Sequence, residues 1–310
     1  MTATQPQELI KAKALSLGFD ACGIASCKTF EKESRVLEDW LNNRYHADMD
    51  FMLRNRDKRE KPCLLHPETK SVIVVLLSYH NPDYIPHKQS AYQVAEYALG
   101  KDYHKVVKTK LRLFSSYINE LFPEALNRCF VDSAPLFEKA FAVEAGLGWI
   151  GKNTLLVTPK GSKYFIGEIF TNIPLPADKA YHKNHCANCN RCVEACPTHA
   201  LDLPYQLNAN KCLSYHSIER KHIEWDNSIK SNHYIYGCDI CQQVCPYNAK
   251  KNTTQVEEFS IKPPFLHFTN EDWEQINPDT FQALFTDSAV LRIGYQKFKE
   301  NIRRAKESIE

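Results

Sequence analysis

Eight of the twelve cysteines fall into two runs, and each run ends in Cys-Pro. The first reads Cys186-x-x-Cys189-x-x-Cys192-x-x-x-Cys196-Pro197. The second reads Cys238-x-x-Cys241-x-x-x-Cys245-Pro246, with Cys212 upstream. The first spacing is that of a bacterial run holding a [4Fe–4S] cluster, and in two-cluster proteins the last cysteine of each run ligates the other cluster. That rule assigns Cys186, Cys189, Cys192 and Cys245 to one cluster, and Cys212, Cys238, Cys241 and Cys196 to a second. The chemistry implied is one-electron transfer. A structural zinc site needs four ligands in pairs and has no use for a third closely spaced cysteine. Disulfides suit small secreted chains. Cys22, Cys27, Cys63 and Cys129 show no such spacing and read as small buried hydrophobes.

Outside the cysteines, Asp132 sits where a strand is expected to end and a helix to begin. Ligands of α/β sheets gather at the carboxyl ends of strands. A carboxyl shielded from water there would keep its proton near neutral pH and serve as a general acid; the alternative is helix capping by Asp132 or Ser133. Tyr97, Asp102, Tyr103 and His104 form a polar and aromatic group at the head of a helix. Lys101, Lys105, Lys108 and Arg112 recur at the helical period along it. That stripe is either a phosphate-contacting face or a solvated surface. Tyr215 to Lys230 mixes basic and aromatic residues directly after Cys212. Gly146-x-Gly148-x-x-Gly151 matches a dinucleotide fingerprint, but that motif needs a strand before it and a helix after it. Here the order is helix then strand, so a tight turn allowing close backbone approach is the better reading.

The elements that must position these groups follow from periodicity. Helices are expected over Gln7–Leu17, Glu31–Leu41, a long segment striped by Val107, Leu111, Phe114, Ile118 and Leu121, and about Pro135–Ala145. Strands are expected after Gly18, over Ser71–Ser78, at Cys129–Val131, over Asn153–Thr158 and over Tyr164–Phe170. Helix-start signals recur at Thr269 and at Asp279-Thr280. The reading gives three segments: 1–175 as an α/β domain, 176–250 as the cysteine domain, and 251–310 as a helical extension. The 310-residue length allows two domains or so, and the hydrophobic fraction of 43% is ordinary for a soluble protein. The longest apolar run, Val72 to Leu77, is too short to span a bilayer. Met1 to Leu9 lacks a signal pattern, so a cytoplasmic location is expected. With a net charge of +2, any nucleic-acid binding must rest on local patches.

These motifs resemble the epoxyqueuosine reductase family over roughly residues 5 to 250. The resemblance is carried by Arg44-Tyr45-His46-Ala47-Asp48-Met49, by Ser71-Val72-Ile73-Val74-Val75 and by Tyr97-Ala98-Leu99-Gly100-Lys101-Asp102-Tyr103-His104. It continues in Val131-Asp132-Ser133-Ala134-Pro135, in Ala145 to Asn153 and in Tyr236-Gly237-Cys238-Asp239-x-Cys241-Gln242. It implies an α+β fold: a cobalamin-binding α/β domain, a ferredoxin-like domain with two [4Fe–4S] clusters, and here a short helical tail. It implies reduction of epoxyqueuosine to queuosine at the wobble position of tRNA with a GUN anticodon, by cob(I)alamin recharged through the clusters from an external low-potential donor. Asp132 matches the family's proton donor. Asn153, Ser214, Asp239 and Tyr97 fall where cobalamin is contacted, and Arg220, Lys221, His104 and Lys105 where tRNA is met. A monomer without membrane attachment is expected.

Two departures stand out. Longer relatives carry a helical-repeat domain that this chain does not hold in full, so the tail's tRNA contacts would be either reduced or replaced by Arg292 to Arg304. Asn232-His233-Tyr234 replaces a segment where many relatives carry arginine. Two other readings stay open: a cobalamin-dependent reductase of small molecules, resembling dehalogenases, and a two-cluster electron-transfer module without catalysis of its own.

Overall fold

The computed structural model describes residues 5–85, 90–223, 225, 228–249 and 252–308. Its first part runs α1 (Pro6–Ser16), β1 (Ala21–Ser26), α2 (Glu31–Asn42), α3 (Arg56–Glu60), β2 (Ser71–Ser78), β3 (Gln93–Val94), α4 (Tyr103–Leu121), β4 (Asn127–Phe130), α5 (Glu138–Glu144), β5 (Trp149–Ile150), β6 (Leu156–Val157) and β7 (Tyr164–Thr171). Then follow α6 (Arg191–Glu194), α7 (Leu213–Ile218), β8 (Tyr234–Tyr236), α8 (Ile240–Gln243), α9 (Pro263–His267), α10 (Asn270–Glu274), α11 (Pro278–Leu284) and α12 (Gly294–Glu307).

The apolar run of β2 is buried at every position because its sheet is covered on both faces. The sheet has the order β1-β2-β7-β4, and every neighbouring pair is antiparallel. In register, Ile73 lies between Ile24 and Ile169. Side chains alternate across a strand, so Ile73, Val75, Leu77, Phe165 and Ile169 pack beneath α1 and α4, while Val72, Val74, Leu76 and Phe170 pack beneath α5 and Phe30. The expected stripe of α4 holds: Val107, Leu111, Phe114 and Ile118 are all fully buried. Lys101, Lys105, Lys108 and Arg112 are exposed.

A separate core joins distant parts of the chain. β3 pairs in parallel with β8. Tyr92, Val94, Ala98 and Leu99 pack with Ile218, Ile235 and Tyr236, and with Trp273, Phe281, Phe285, Val290, Phe298 and Ile302 of the C-terminal helices. Residues 92–99 therefore share a core with the tail. Conversely, Val256 and Phe259 share one with the first sheet. The boundary expected at 250 falls outside the described residues. Asn301, fully buried on α12, donates to Ser217 O and Ile235 O, both at 2.9 Å, and accepts from Trp225 Nε1 at 3.1 Å. Thr269 opens α10 with a capping box. At α11 the cap is Asn277, which accepts from Thr280 N at 2.9 Å, so that helix starts ahead of the expected signal.

Two expectations need correction. Cys27 and Cys63 are joined in a disulfide, with Cα atoms 6.3 Å apart; 36 residues separate them, so no local spacing announces the pair. Cys22 and Cys129 do pack against the core, as read. The strand expected over Asn153–Thr158 shrinks to Leu156–Val157. Thr154 is left-handed, with φ 64°, and Asn153 Oδ1 accepts from Leu155 N at 3.3 Å, which makes a turn of its first half.

The glycine motif follows α5 and enters the β5–β6 hairpin. Gly146 ends the helix at φ +75°, and a Cβ on Gly148 would lie 2.2 Å from the Val157 carbonyl oxygen. Gly148→Ala is therefore expected to destabilise the fold by about 1–3 kcal/mol, the usual range for overpacking. Thermal unfolding reads this out, and an unchanged midpoint would show that the hairpin yields freely.

Candidate active site

The cysteine frame is built from short turns of helix that lie within each run. α6 lies between Cys189 and Cys196 and α8 between Asp239 and Val244, and the two pack together. Burial raises the thiols of Cys192 and Cys245, and neighbouring Cys186 raises both further; Cys245 also lies near Cys189. Cys212 is raised by burial and faces Cys196. Cys238 is raised by burial and by Cys241 and Cys212. Burial first, and then Cys212, raises Cys241, which also lies near Cys192. The electrostatic neighbours thus link Cys192 and Cys245 to Cys186, Cys212 to Cys196, Cys238 to Cys241 and Cys212, and Cys241 to Cys192. Backbone amides point at the sulfurs: Ala200 N donates to Cys196 Sγ at 3.3 Å, Tyr215 and Ser214 to Cys212, and Tyr247 and Asn248 to Cys245. Such N–H···S bonds are a lever on cluster potential. Two sets of four soft sulfur donors suit two [4Fe–4S] clusters.

The second centre is Asp132, in the turn after β4. Its φ of 54° is left-handed, a conformation disfavoured without glycine. Its backbone N–H donates to Glu138 Oε1 at 2.5 Å. Its carboxylate accepts from the Tyr103 hydroxyl and lies 3.2 Å from His104 Nε2. His104 Nδ1 is 2.8 Å from Asp102 Oδ1, so the imidazole bridges two carboxylates. Tyr103 is wedged flat against Phe165 at 4.2 Å and against His104 at 4.1 Å. The hydrogen bonds from Asp102 and then Asp132 raise the His104 pKa to about 9, and the His104 hydrogen bond holds Asp132 below the ordinary carboxylate range.

This corrects the expected ground for a proton donor. Asp132 is not shielded; its side chain is 56% exposed. With its pKa raised to about 9, His104 carries a proton at neutral pH and faces Asp132 Oδ2 at 3.2 Å. The sequence offered His104 as an RNA contact and missed the pairing, because 28 residues separate the partners. Arg292 of the tail approaches the same site and helps lower Asp132, while its guanidinium donates to both carboxylate oxygens of Glu219 at 2.5 and 3.1 Å.

The remaining candidates divide. Asn153 is buried, and among the described residues its Nδ2 has no partner. Ser214 is half-buried on α7, and its hydroxyl likewise makes no bond to a described residue. Tyr97 packs edge-on against Tyr103 at 6.1 Å and beside Tyr236 at 6.2 Å. Asp239 is committed to the interior: it is 2% exposed and accepts from Glu96 N at 2.7 Å. Arg220 is also interior, at 7% exposure. It donates to Ile223 O and lies over the Trp225 ring at 5.7 Å. Lys221 and Lys105 are the exposed cations of the set, paired with Asp50 and Asp287. In the stretch 215–230, residues 224, 226 and 227 lie outside the described residues.

Comparison with known proteins fits this arrangement. A family model described as "Epoxyqueuosine reductase QueG, DUF1730" matches residues 59–133, and a "4Fe-4S double cluster binding domain" matches residues 185–248. The chain is 41% identical to an epoxyqueuosine reductase of Cellulophaga algicola, over 97% of this chain and 98% of that protein. It is 42% identical to one of Leadbetterella byssophila, over 96% and 97%. A crystal structure of epoxyqueuosine reductase with an epoxyqueuosine-modified tRNA-Tyr stem loop superposes with a TM-score of 0.87 at 27% identity, covering 98% of this chain and 80% of that one. A structure of the Bacillus subtilis enzyme, with its catalytic Asp loop swung out of the active site, gives 0.85 at 27% identity, covering 98% and 80%. By its near-full-length identity to these reductases, the chain belongs to the epoxyqueuosine reductase family.

Proposed function

We propose that this protein reduces epoxyqueuosine to queuosine at the wobble position of tRNA. The observation that carries the reading is the exposed Asp132 carboxylate, loaded by the His104 imidazolium and braced by Tyr103, in a chain that also holds two four-cysteine sets. Removing an epoxide oxygen as water takes two electrons and two protons and leaves an alkene. Side chains cannot supply the electrons, so a cofactor must. Cobalamin, when bound, would supply the electron pair at the epoxide carbon, recharged one electron at a time through the clusters from an external low-potential donor. The Asn153 amide nitrogen and the Ser214 hydroxyl, both without a partner among the described residues, fit the polar edge of such a group, and the ring of Tyr97 its apolar edge. Asp239 is buried and holds the Glu96 N–H through Oδ2, which leaves it the least accessible of the four.

The residues of the chain handle the proton. His104 holds it between Asp102 and Asp132, and Asp132 Oδ2 delivers it to the departing oxygen. The stacked Tyr103 and Phe165 fix the direction of that carboxylate. An anticodon loop is single-stranded, so its modified base can be splayed toward Asp132 without melting a duplex. Lys221, Lys105 and the exposed face from Lys101 to Arg112 would meet backbone phosphates. In this reading the protein works as a cytoplasmic monomer. Among the described residues no helix is long and apolar enough to cross a membrane.

The direct test is an anaerobic assay with reconstituted protein, cobalamin, a low-potential reductant and tRNA bearing epoxyqueuosine, read by nucleoside mass. Loss of one oxygen is expected. Asp132→Asn should reduce the rate on the order of 100-fold or more while leaving cluster absorbance intact; a variant as fast as the parent would remove Asp132 from the reaction.

The His104 shift gives a pH dependence. The folded pKa is raised from 6.5 to about 9, so the proton is in place at neutral pH and is lost as pH rises through about 9. The stabilisation that the ion pair provides has the same sign: it is full below about 6.5 and gone above about 9. Initial rates should fall through that upper window, and His104→Gln should abolish the limb. A parent profile that stays flat there would contradict the assignment.

The two ligand sets can be separated by paired substitutions. Cys186→Ala with Cys245→Ala should remove one cluster, because both residues serve the same one. Cys186→Ala with Cys196→Ala should remove both. Equal iron content in the two double variants would refute the exchange of ligands.

A further inference from the structure

The proposed reaction consumes two protons per turnover, whereas the Asp132–His104 pair carries one. Behind Asp132, on the α5 side of the sheet, stand two carboxyls to which that reaction assigns no part. Glu138 opens α5, and its Oε1 accepts the Asp132 N–H at 2.5 Å. Glu168 lies at the centre of β7, opposite Val74 and Phe130. It is fully buried, and neither of its carboxyl oxygens has a hydrogen-bond partner among the described residues. A bare carboxylate in an apolar core is strongly unfavourable, so Glu168 holds its proton. Burial first, and then the neighbouring Glu138 and Asp132 carboxyls, keep it neutral.

Glu138 sits between the interior and the surface. The ionisable groups that face it are Asp132, His104, Lys139, Glu168 and Arg59 of α3. Lys139 is engaged with Thr154 O at 2.7 Å. Burial, and next the charge of Asp132, push the Glu138 carboxyl up. Because Glu138 Oε1 accepts the Asp132 backbone N–H at 2.5 Å, the two residues are held in one turn.

We propose that Glu138, backed by neutral Glu168, is the proton reserve that reloads Asp132 between the two proton transfers of one turnover. Once the His104 proton has passed through Asp132 to the substrate oxygen, the neutral imidazole no longer holds the Asp132 carboxyl low, and a proton moves from the Glu138 carboxyl through water to the Asp132 carboxylate. Glu138 is left ionised and regains a proton from solvent at its half-buried edge. No electrons move in this step, and Glu168 stays neutral, so no second anion forms beside Glu138. Glu138 acts only through Asp132 and is a positioning residue in that sense. The inference rests on the proposed reduction and adds the source of its second proton.

The test uses the full, cluster-loaded protein with Glu138→Gln, Glu138→Ala and Glu168→Gln. Glutamine at 138 keeps an acceptor for the Asp132 N–H but cannot release a carboxyl proton. Its kcat is expected to fall about 10-fold at neutral pH with KM for tRNA unchanged, and to recover toward the parent as pH falls and solvent reloads Asp132 directly. Alanine at 138 also loses the loop contact and should be slower at every pH. Infrared spectra of the protein without substrate should show the carbonyl stretch of neutral carboxylic acids, diminished in Glu138→Gln and in Glu168→Gln. Full activity in Glu138→Gln, a deficit that does not vary with pH, or no loss of that infrared signal would each overturn the proposal. Should the parent itself fail to reduce epoxyqueuosine, the functional reading falls, and the infrared result still reports whether the carboxyls carry protons.

Discussion

The buried carboxylate of Glu96 ties the molecule together. Its side chain is fully buried. Oε1 accepts from His80 Nδ1 and Asn81 N, both at 2.7 Å, and Oε2 accepts from Lys163. Burial alone would push this carboxyl up, but His80, Lys163 and Asn81 together hold it low. Removing one partner of a buried charge typically costs about 3–5 kcal/mol, so each contact constrains the others. His80 and Asn81 follow β2, and Lys163 precedes β7. The Glu96 backbone N–H is held by Asp239, between Cys238 and Cys241. One carboxylate and its backbone thus bind the end of the central sheet, the crossing strand and the second cysteine set into a single frame.

That frame explains how two unlike chemistries share one small protein. The cysteine sets lie in short helical turns where amides converge on sulfur, a setting suited to electrons. The proton site lies at the head of α4 and the exit of β4, where Asp132 is open to solvent and to a large substrate. Between them stand Tyr97, Tyr103, Tyr236 and Phe165, in contact through their rings. This aromatic wall belongs to both cores, since Tyr97 packs against each. The tail joins the same arrangement through Arg292, which approaches Asp132 from the far side of the chain.

Much of this was legible in the residues. Cysteine spacing announced the double-cluster domain over residues 185–248 because cluster geometry restricts which loops can close around iron. The β2 run and the α4 stripe announced a buried strand and an amphipathic helix because burial on two faces and on one face leaves different periods. What could not be read was contact between distant groups. The Cys27–Cys63 bond, the His104–Asp132 pair and the inward turn of Arg220 depend on tertiary approach, for which local spacing carries no signal. Asp132 illustrates the limit: its place at a strand end was visible, yet its exposure and its left-handed backbone were not. Glu168 did leave a signal. A glutamate inside the apolar strand Tyr164–Thr171 contradicts its surroundings, and such conflicts often mark function.

The parallel pairing of β3 with β8 carries a consequence for biogenesis. The two partners are about 140 residues apart in the chain, so the contact closes a very long loop, and long-range closures slow folding. In the proposed ligand sets, neither group of four is complete until distant members have met, Cys186 with Cys245 and Cys196 with Cys238. In those sets the chain must close loops of about 40 to 60 residues before metal can be captured, and captured metal would then hold them closed. Maturation becomes a ratchet: folding presents the sulfurs, and iron makes the fold hard to reverse.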